Sequence, residues 1–176
     1  MTTIVVEPHC DDAFLGCYSF LKLGMIDGII TIADCGEKRN QENETMADYF
    51  NIDSRRILDY PYPILDGKLV NHCGEIQSRL DYVDELGYAD IVFVPSPKEK
   101  HIDHKIVSGL KFRCSKIIEY SVNAVPDNLY TDKYIFTQVD LEEKMDLFKK
   151  LYPSQYISLK STNFEFLENE YFKVRK

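Results

Sequence analysis

Short runs of consecutive apolar residues alternate along this chain with segments in which apolar positions recur every three or four residues. Thr3 to Val6 is β-branched throughout and ends at Glu7-Pro8, the signature of a buried strand stopped by a proline. A helix is expected next, capped by Asp11 or Asp12 and carrying Phe14, Leu15, Tyr18 and Leu21 until Gly24 ends it. Gly28 to Ala33 reads as a second buried strand, and Arg39 to Phe50 as a polar helix with Met46, Ala47 and Phe50 on one side. A weaker third strand is expected over Arg56 to Asp59. The prolines and Asp66-Gly67 of YPYPILDG then mark a loop, followed by a helix from Glu75 to Leu86 through Ile76, Leu80 and Val83. Ile91 to Val94 is the strongest strand signal. Asp103 to Phe112 continues as helix, Lys116 to Tyr120 as strand, Leu141 to Tyr152 as helix and Tyr171 to Val174 as a terminal strand.

This βαβ rhythm predicts an α/β fold, a mainly parallel sheet with helices on both faces. With 176 residues, no internal repeat and no linker-like tract, residues 1–176 are expected to form a single domain.

Composition narrows the function classes. The net charge of −8 opposes attraction to a phosphate backbone, so no nucleic-acid partner is expected. No stretch approaches the roughly 18 apolar residues of a membrane span, and MTTIVVEPH lacks the features of a signal peptide, so a cytoplasmic location is expected. Cys10, Cys17, Cys35, Cys73 and Cys114 are odd in number and contain no CxxC pair, which points to reduced thiols. A homo-oligomer stays open.

In open α/β sheets, ligands bind beyond the carboxyl ends of the strands. Two such places carry unusual chemistry here: Pro8-His9-Cys10-Asp11-Asp12 after the first strand, and the segment from Pro95 to His101-Ile102-Asp103-His104 after the Ile91 to Val94 strand. Taken alone, Asp11-Asp12 reads as a helix cap and His101 with His104 as a solvated charged turn. Together they place three of the four histidines at two strand ends. His72 reads as an ordinary surface residue. A catalytic zinc keeps three protein ligands and an open position, and His9, Asp12 and His104 supply such a set. Asp11 can then serve as the base for a metal-activated water, and His101 as a stabiliser of the oxyanion or donor to the leaving amine. Imidazole and carboxylate suit Zn2+ and Fe2+ alike. Cys10, beside a histidine at a helix start, supports a competing thiol-nucleophile reading that the adjacent Asp11 and Asp12 oppose.

These residues resemble the LmbE-like or PIG-L-type metal-dependent N-deacetylases. The family motif PHPDDE is similar to Pro8-His9-Cys10-Asp11-Asp12-Ala13, and its late strand followed by HPDH is similar to IVFVPSPKEKHIDH. Its RxxExxxA helix resembles Arg39, Glu42 and Met46-Ala47, its Asp-Gly loop resembles Asp66-Gly67, and its serine-glutamine pair resembles Ser154-Gln155. The resemblance implies a Rossmann-like sheet, a zinc ion, and removal of an N-acetyl or other N-acyl group from a glucosamine-type sugar or conjugate. It implies that His9, Asp12 and His104 hold the metal, that Asp11 is the general base, that His101 stabilises the transition state, and that Arg39 lies near the substrate. Cys10 in place of the motif proline and Ala13 in place of its glutamate depart from the pattern. They leave an alternative of another class: a non-catalytic, metal-containing carbohydrate-binding module.

Overall fold

The computed structural model describes residues 1–56, 64–123, 125–126, 134–162 and 164–175. Seven strands form one sheet: β1 (Thr3–Glu7), β2 (Gly28–Thr31), β3 (Asp53–Arg56), β4 (Ile91–Pro95), β5 (Lys116–Tyr120), β6 (Ile135–Gln138) and β7 (Asn169–Val174), in the order β3-β2-β1-β4-β5-β7-β6. The first five in that order pair in parallel, and β7 then runs antiparallel to both β5 and β6. The chain leaves β1 toward β2 and β3, then returns to the other side of β1 as β4. The β1/β4 boundary is therefore the switch point, where the loops diverge and leave a crevice above the strand ends.

The apolar strands are legible as such because both faces of the sheet are covered. Val5, Ile29 and Phe93 face a core with Phe14, Tyr18 and Leu21 of α1 (Asp12–Lys22), Met46 of α2 (Glu37–Phe50) and Phe148 of the later helix Leu141–Leu151. Their neighbours Ile4, Val6, Ile30, Val92 and Val94 face the opposite core, with Ile76 and Leu80 of α3 (Cys73–Leu80). Leu86 of α4 (Asp84–Gly87) and Val107 of α5 (Ile102–Ser108) complete that face.

Several boundaries differ from the expectation. The third strand comes earlier, at Asp53–Arg56, and the remainder of the expected Arg56 to Asp59 segment lies outside the described residues, as does the start of YPYPILDG. The helix expected from Glu75 to Leu86 is two helices, because Asp81 and Tyr82 close hydrogen-bonded turns after α3 instead of continuing it. The helix expected from Leu141 to Tyr152 is α6 (Leu141–Leu151), and Pro153 starts a further helix, α7 (Pro153–Ser161), at the position where proline needs no amide hydrogen. Neither α7 nor β6 is legible in the apolar pattern.

One detail of α1 bears on the site. At Cys17 the backbone leaves helical geometry (φ −132°, ψ 23°), which frees main-chain groups on both sides of the break. Lys144 Nζ donates to the Leu15 carbonyl at 2.7 Å and to Glu170 Oε1 at 2.7 Å, and Glu170 accepts from the amides of Tyr18 and Ser19, each at 2.9 Å. Both charged side chains are buried, so the pair plugs the break from within the core. Just before it, Gly16 lies so close to Tyr120 that a Cβ would collide with the ring. The short segment Asp12 to Gly16 is thereby held apart from the rest of α1, with the acidic pair at its start.

Candidate metal centre

Pro8 ends β1 and turns the chain so that His9 lies over the switch point. His9 Nδ1 is 3.1 Å from Asp12 Oδ2, and His104 Nε2, from the first turn of α5, is 3.2 Å from the same oxygen. Two imidazoles from different strand ends thus converge on one carboxylate oxygen in a site where all three side chains are at least nine-tenths buried. His101 completes a cluster of three rings, its centroid 4.8 Å from that of His9 and 5.4 Å from that of His104. The structure therefore brings together His9, Asp11, Asp12, His101 and His104, which sequence reading drew from segments about ninety residues apart.

The donor set can hold a divalent ion. Among the described residues, two sets of three donors lie within 4.8 Å of one another, His9 with His101 and His104, and His9 with Asp66 and Asp103. Asp12 belongs to neither set, but its Oδ2 lies 3.1 Å from His9 Nδ1 and 3.2 Å from His104 Nε2, and His101 Nδ1 accepts the Asp103 amide hydrogen at 3.3 Å. Asp66 is half-exposed and paired with Arg39 at 3.3 Å. The other nitrogen of His104, Nδ1, lies 3.9 Å from Glu99 Oε2, and both atoms are buried without a hydrogen-bond partner. Imidazole ligands commonly turn their second nitrogen toward such a carboxylate.

Burial and charge compete strongly here. Burial opposes protonation of His9, but Asp12, Asp103 and Asp66 outweigh it and raise its pKa well above the usual imidazole range. Burial likewise opposes charge on His104, and Asp12 overcomes it. The reciprocal effect lowers Asp12 despite its burial, because the charges of His104 and His9 stabilise its carboxylate. His101 shifts the other way, through burial and then the charge of His9. In neutral His101, with Nδ1 accepting, the ring proton is assigned to Nε2.

Asp11 is placed differently from Asp12. Its Oδ1 accepts from Arg39 Nη2 at 3.1 Å, and its Oδ2 accepts from the Gln155 amide at 3.3 Å when that amide is turned to satisfy both of its ends. Burial raises the Asp11 pKa in spite of the guanidinium. Arg39 also donates to Asp66 Oδ2, so it bridges the acidic pair to the Asp66-Gly67 loop, and Asp66 Oδ1 lies 3.1 Å from His9 Nε2.

Asp11 stands at the N-cap of α1 as expected, but its side chain makes no cap hydrogen bond, its Oδ1 being taken by Arg39, while Asp12 Oδ2 accepts the His9 amide at 3.0 Å. The Ala13 amide is satisfied by Glu7 Oε2 at 2.8 Å. Glu7 is fully buried, also bonded to Thr31 Oγ1 at 2.6 Å and Asn43 Nδ2 at 3.0 Å, and burial pushes its pKa up to about 8. A carboxylate thus reaches the start of α1 from the strand, next to the position where Ala13 stands for the motif glutamate. Cys10 donates to Asn40 Oδ1 at 3.2 Å, and its hydrogen bond with Cys35 and its burial both push the thiol up, away from nucleophilic thiolate. His72 lies away from the cluster, half-exposed and paired with Glu75.

Sequence reading missed Glu7, Asp66, Glu99 and Asp103 as site residues. Glu7 left a signal, a carboxylate inside an otherwise apolar strand, and Asp103 another, between two singled-out histidines. Asp66 was marked only as part of the Asp66-Gly67 loop, without a role, and Glu99 gave no signal, since a charge within KEKH is ordinary at the surface.

No protein-family model matches the chain, and no curated protein sequence does. Solved structures do. A triple mutant of a deacetylase involved in the teicoplanin biosynthetic pathway superposes with a TM-score of 0.70 at 13% identity, over 98% of this chain and 96% of that one. The zinc-inhibited form of teicoplanin deacetylase Orf2 matches with a TM-score of 0.61 at 11% identity, over 100% of this chain and 99% of that one. A deacetylase-teicoplanin complex gives the same TM-score of 0.61 and 11% identity over the full length of both chains. At this identity the likeness is one of fold. It confirms the single-domain α/β architecture with a mostly parallel sheet. Among the described residues, no helix is long and apolar enough to cross a membrane.

Proposed function

We propose that this chain is a metal-dependent N-deacetylase that removes an acetyl or other acyl group from the nitrogen of a glucosamine-type sugar or sugar conjugate. The observation that carries the reading is the meeting of His9, Asp12 and His104 at the switch point, with a second carboxylate, Asp11, kept off the imidazoles by Arg39 and Gln155. The deacetylase fold of the structural neighbours supports it.

In this reading His9, Asp12 and His104 would hold zinc or ferrous iron, which when bound would supply a charge able to acidify water and polarise the amide carbonyl. Asp11 Oδ2, more weakly held than Oδ1, takes the proton of the attacking water. Its raised pKa suits a base that must return the proton, here to the departing amine. His101 Nε2 donates to the carbonyl oxygen as negative charge develops there. Glu99 orients His104 from behind. Arg39 and Asp66, paired with each other and with Asp66 the more exposed of the two, offer a donor and an acceptor to sugar hydroxyls. Glu99 also lines a cavity of about 350 Å³ with Ser96, Lys100, Ser121, Asn123 and Pro126, a largely hydroxyl, amide and charged lining that suits a polyol more than an acyl lipid.

A second reading keeps the fold but not the chemistry. Asp11 is ion-paired to Arg39, which favours a carbohydrate-binding module that retains the ion without turnover. Amine release separates the two. Protein loaded with zinc or iron at no more than one equivalent, since a structural neighbour is a zinc-inhibited form, is incubated with N-acetylglucosamine and its simple glycosides. New primary amine and acetate in equal amounts support the enzyme. Metal and sugar binding without amine release would establish the module.

A further inference from the structure

Two thiols beside the metal cluster have no part in the proposed reaction. Cys10 is fully buried after His9, and Cys35 is half-buried in the loop that follows β2. Parallel pairing of β1 with β2 ends at Glu7 opposite Thr31 and is extended by a 2.9 Å bond from the Ala33 amide to the Pro8 carbonyl, which sets the two loops side by side. The Cys10 amide donates to Cys35 Sγ at 3.4 Å, while the Cys35 thiol donates to the Ala33 carbonyl at 3.6 Å. The remaining cysteines are engaged elsewhere: Cys17 is sealed in the core, Cys73 donates to carbonyls of its own helix turn, and Cys114 donates to the Lys116 carbonyl.

With Cys35 Sγ 3.4 Å from the Cys10 backbone nitrogen, that sulfur already lies beside residue 10, the side-by-side placement a disulfide requires. We propose that Cys10 and Cys35 form a reversible disulfide when the protein meets a hydroperoxide. The half-buried Cys35 is the sulfur a small peroxide can reach. Cys35 sulfur attacks the peroxide: the O–O bond breaks, an S–O bond forms, sulfur loses two electrons, and the peroxide leaves as water or an alcohol. Cys10 sulfur then displaces hydroxide from the sulfenic acid, forming the S–S bond, and its proton leaves with that hydroxide as water.

The bond would draw Cys10 Sγ from Asn40 and tether the turn that carries His9 and Asp12. The chemistry depends on the thiol geometry alone and stands or falls separately from the deacetylase reading. Folded, metal-free full-length protein is treated with stoichiometric hydrogen peroxide, its free thiols are alkylated, and its intact mass and peptides are measured. The expected result is a loss of two hydrogens, a Cys10–Cys35 linked peptide, full reversal by dithiothreitol, and no such link in Cys35→Ser. Unchanged thiols, a link through Cys73 or Cys114, or Cys35 carried on to sulfinic acid without a link would each overturn the proposal.

Discussion

Asp11→Asn is expected to lower amine release about 10²- to 10⁴-fold, the usual worth of a positioned general base, while the protein still binds about one equivalent of zinc. The substitution keeps the shape of the side chain, but removes its ability to take a proton together with the charge paired to Arg39 and one of the two acceptors that face Arg39 and Gln155. Metal retention separates this outcome from that of Asp12→Asn, which alters the oxygen shared by His9 and His104 and is expected to lose the ion. Single-turnover assays beside elemental analysis make the comparison. Full activity in Asp11→Asn would assign the base to another group, and loss of metal with activity would make Asp11 a ligand.

Lys144→Met is expected to destabilise the fold by about 3–5 kcal/mol, the range for removing one partner of a buried ion pair. Glu170 would keep its contacts with Tyr18, Ser19 and the Ser19 hydroxyl, yet lose the cation that offsets its charge in the core. The Leu15 carbonyl would lose its partner at the break in α1. Urea unfolding monitored by circular dichroism measures the change. A loss below about 1 kcal/mol would show that the pair behaves like an exposed one. The break lies one turn beyond Asp12, so a partly unfolded Lys144→Met population should also hold metal less well.

The central strands were readable because burial on both faces leaves no polar positions, as in IVFVP of β4. The edge was not: Ile135 and Phe136 of β6 are exposed, so its four residues carry no alternation. In α7 only Gln155 is buried, and PSQYISLKS therefore shows no apolar face. The same logic governs the site. His9, Asp11, Asp12, His101 and His104 stand out because they follow strands that face the switch point. The partners that set their charge do not. Glu99 acquires meaning only when the turn after β4 meets His104, and the roles of Glu7 and Asp66 only when β1 and the Asp66-Gly67 loop come together with the histidines in space. The Ala13 amide takes its carboxylate partner from Glu7, six residues earlier, across a contact that only the folded turn creates. The split of α3 from α4 was likewise hidden, since Ile76, Leu80 and Val83 keep helical spacing across it.

The most direct test of the metal centre is zinc titration calorimetry of metal-free protein at pH 6 and pH 8, with His104→Ala in parallel. His9 and His104 have raised pKa values in the metal-free fold, and zinc requires their neutral nitrogens, so protons compete with the ion below those raised values. The prediction is about one equivalent of zinc, bound more tightly at pH 8 than at pH 6 with release of protons, and binding at least tenfold weaker in His104→Ala. No saturable zinc binding at either pH, or affinity unchanged in His104→Ala, would contradict a metal centre built on His9, Asp12 and His104.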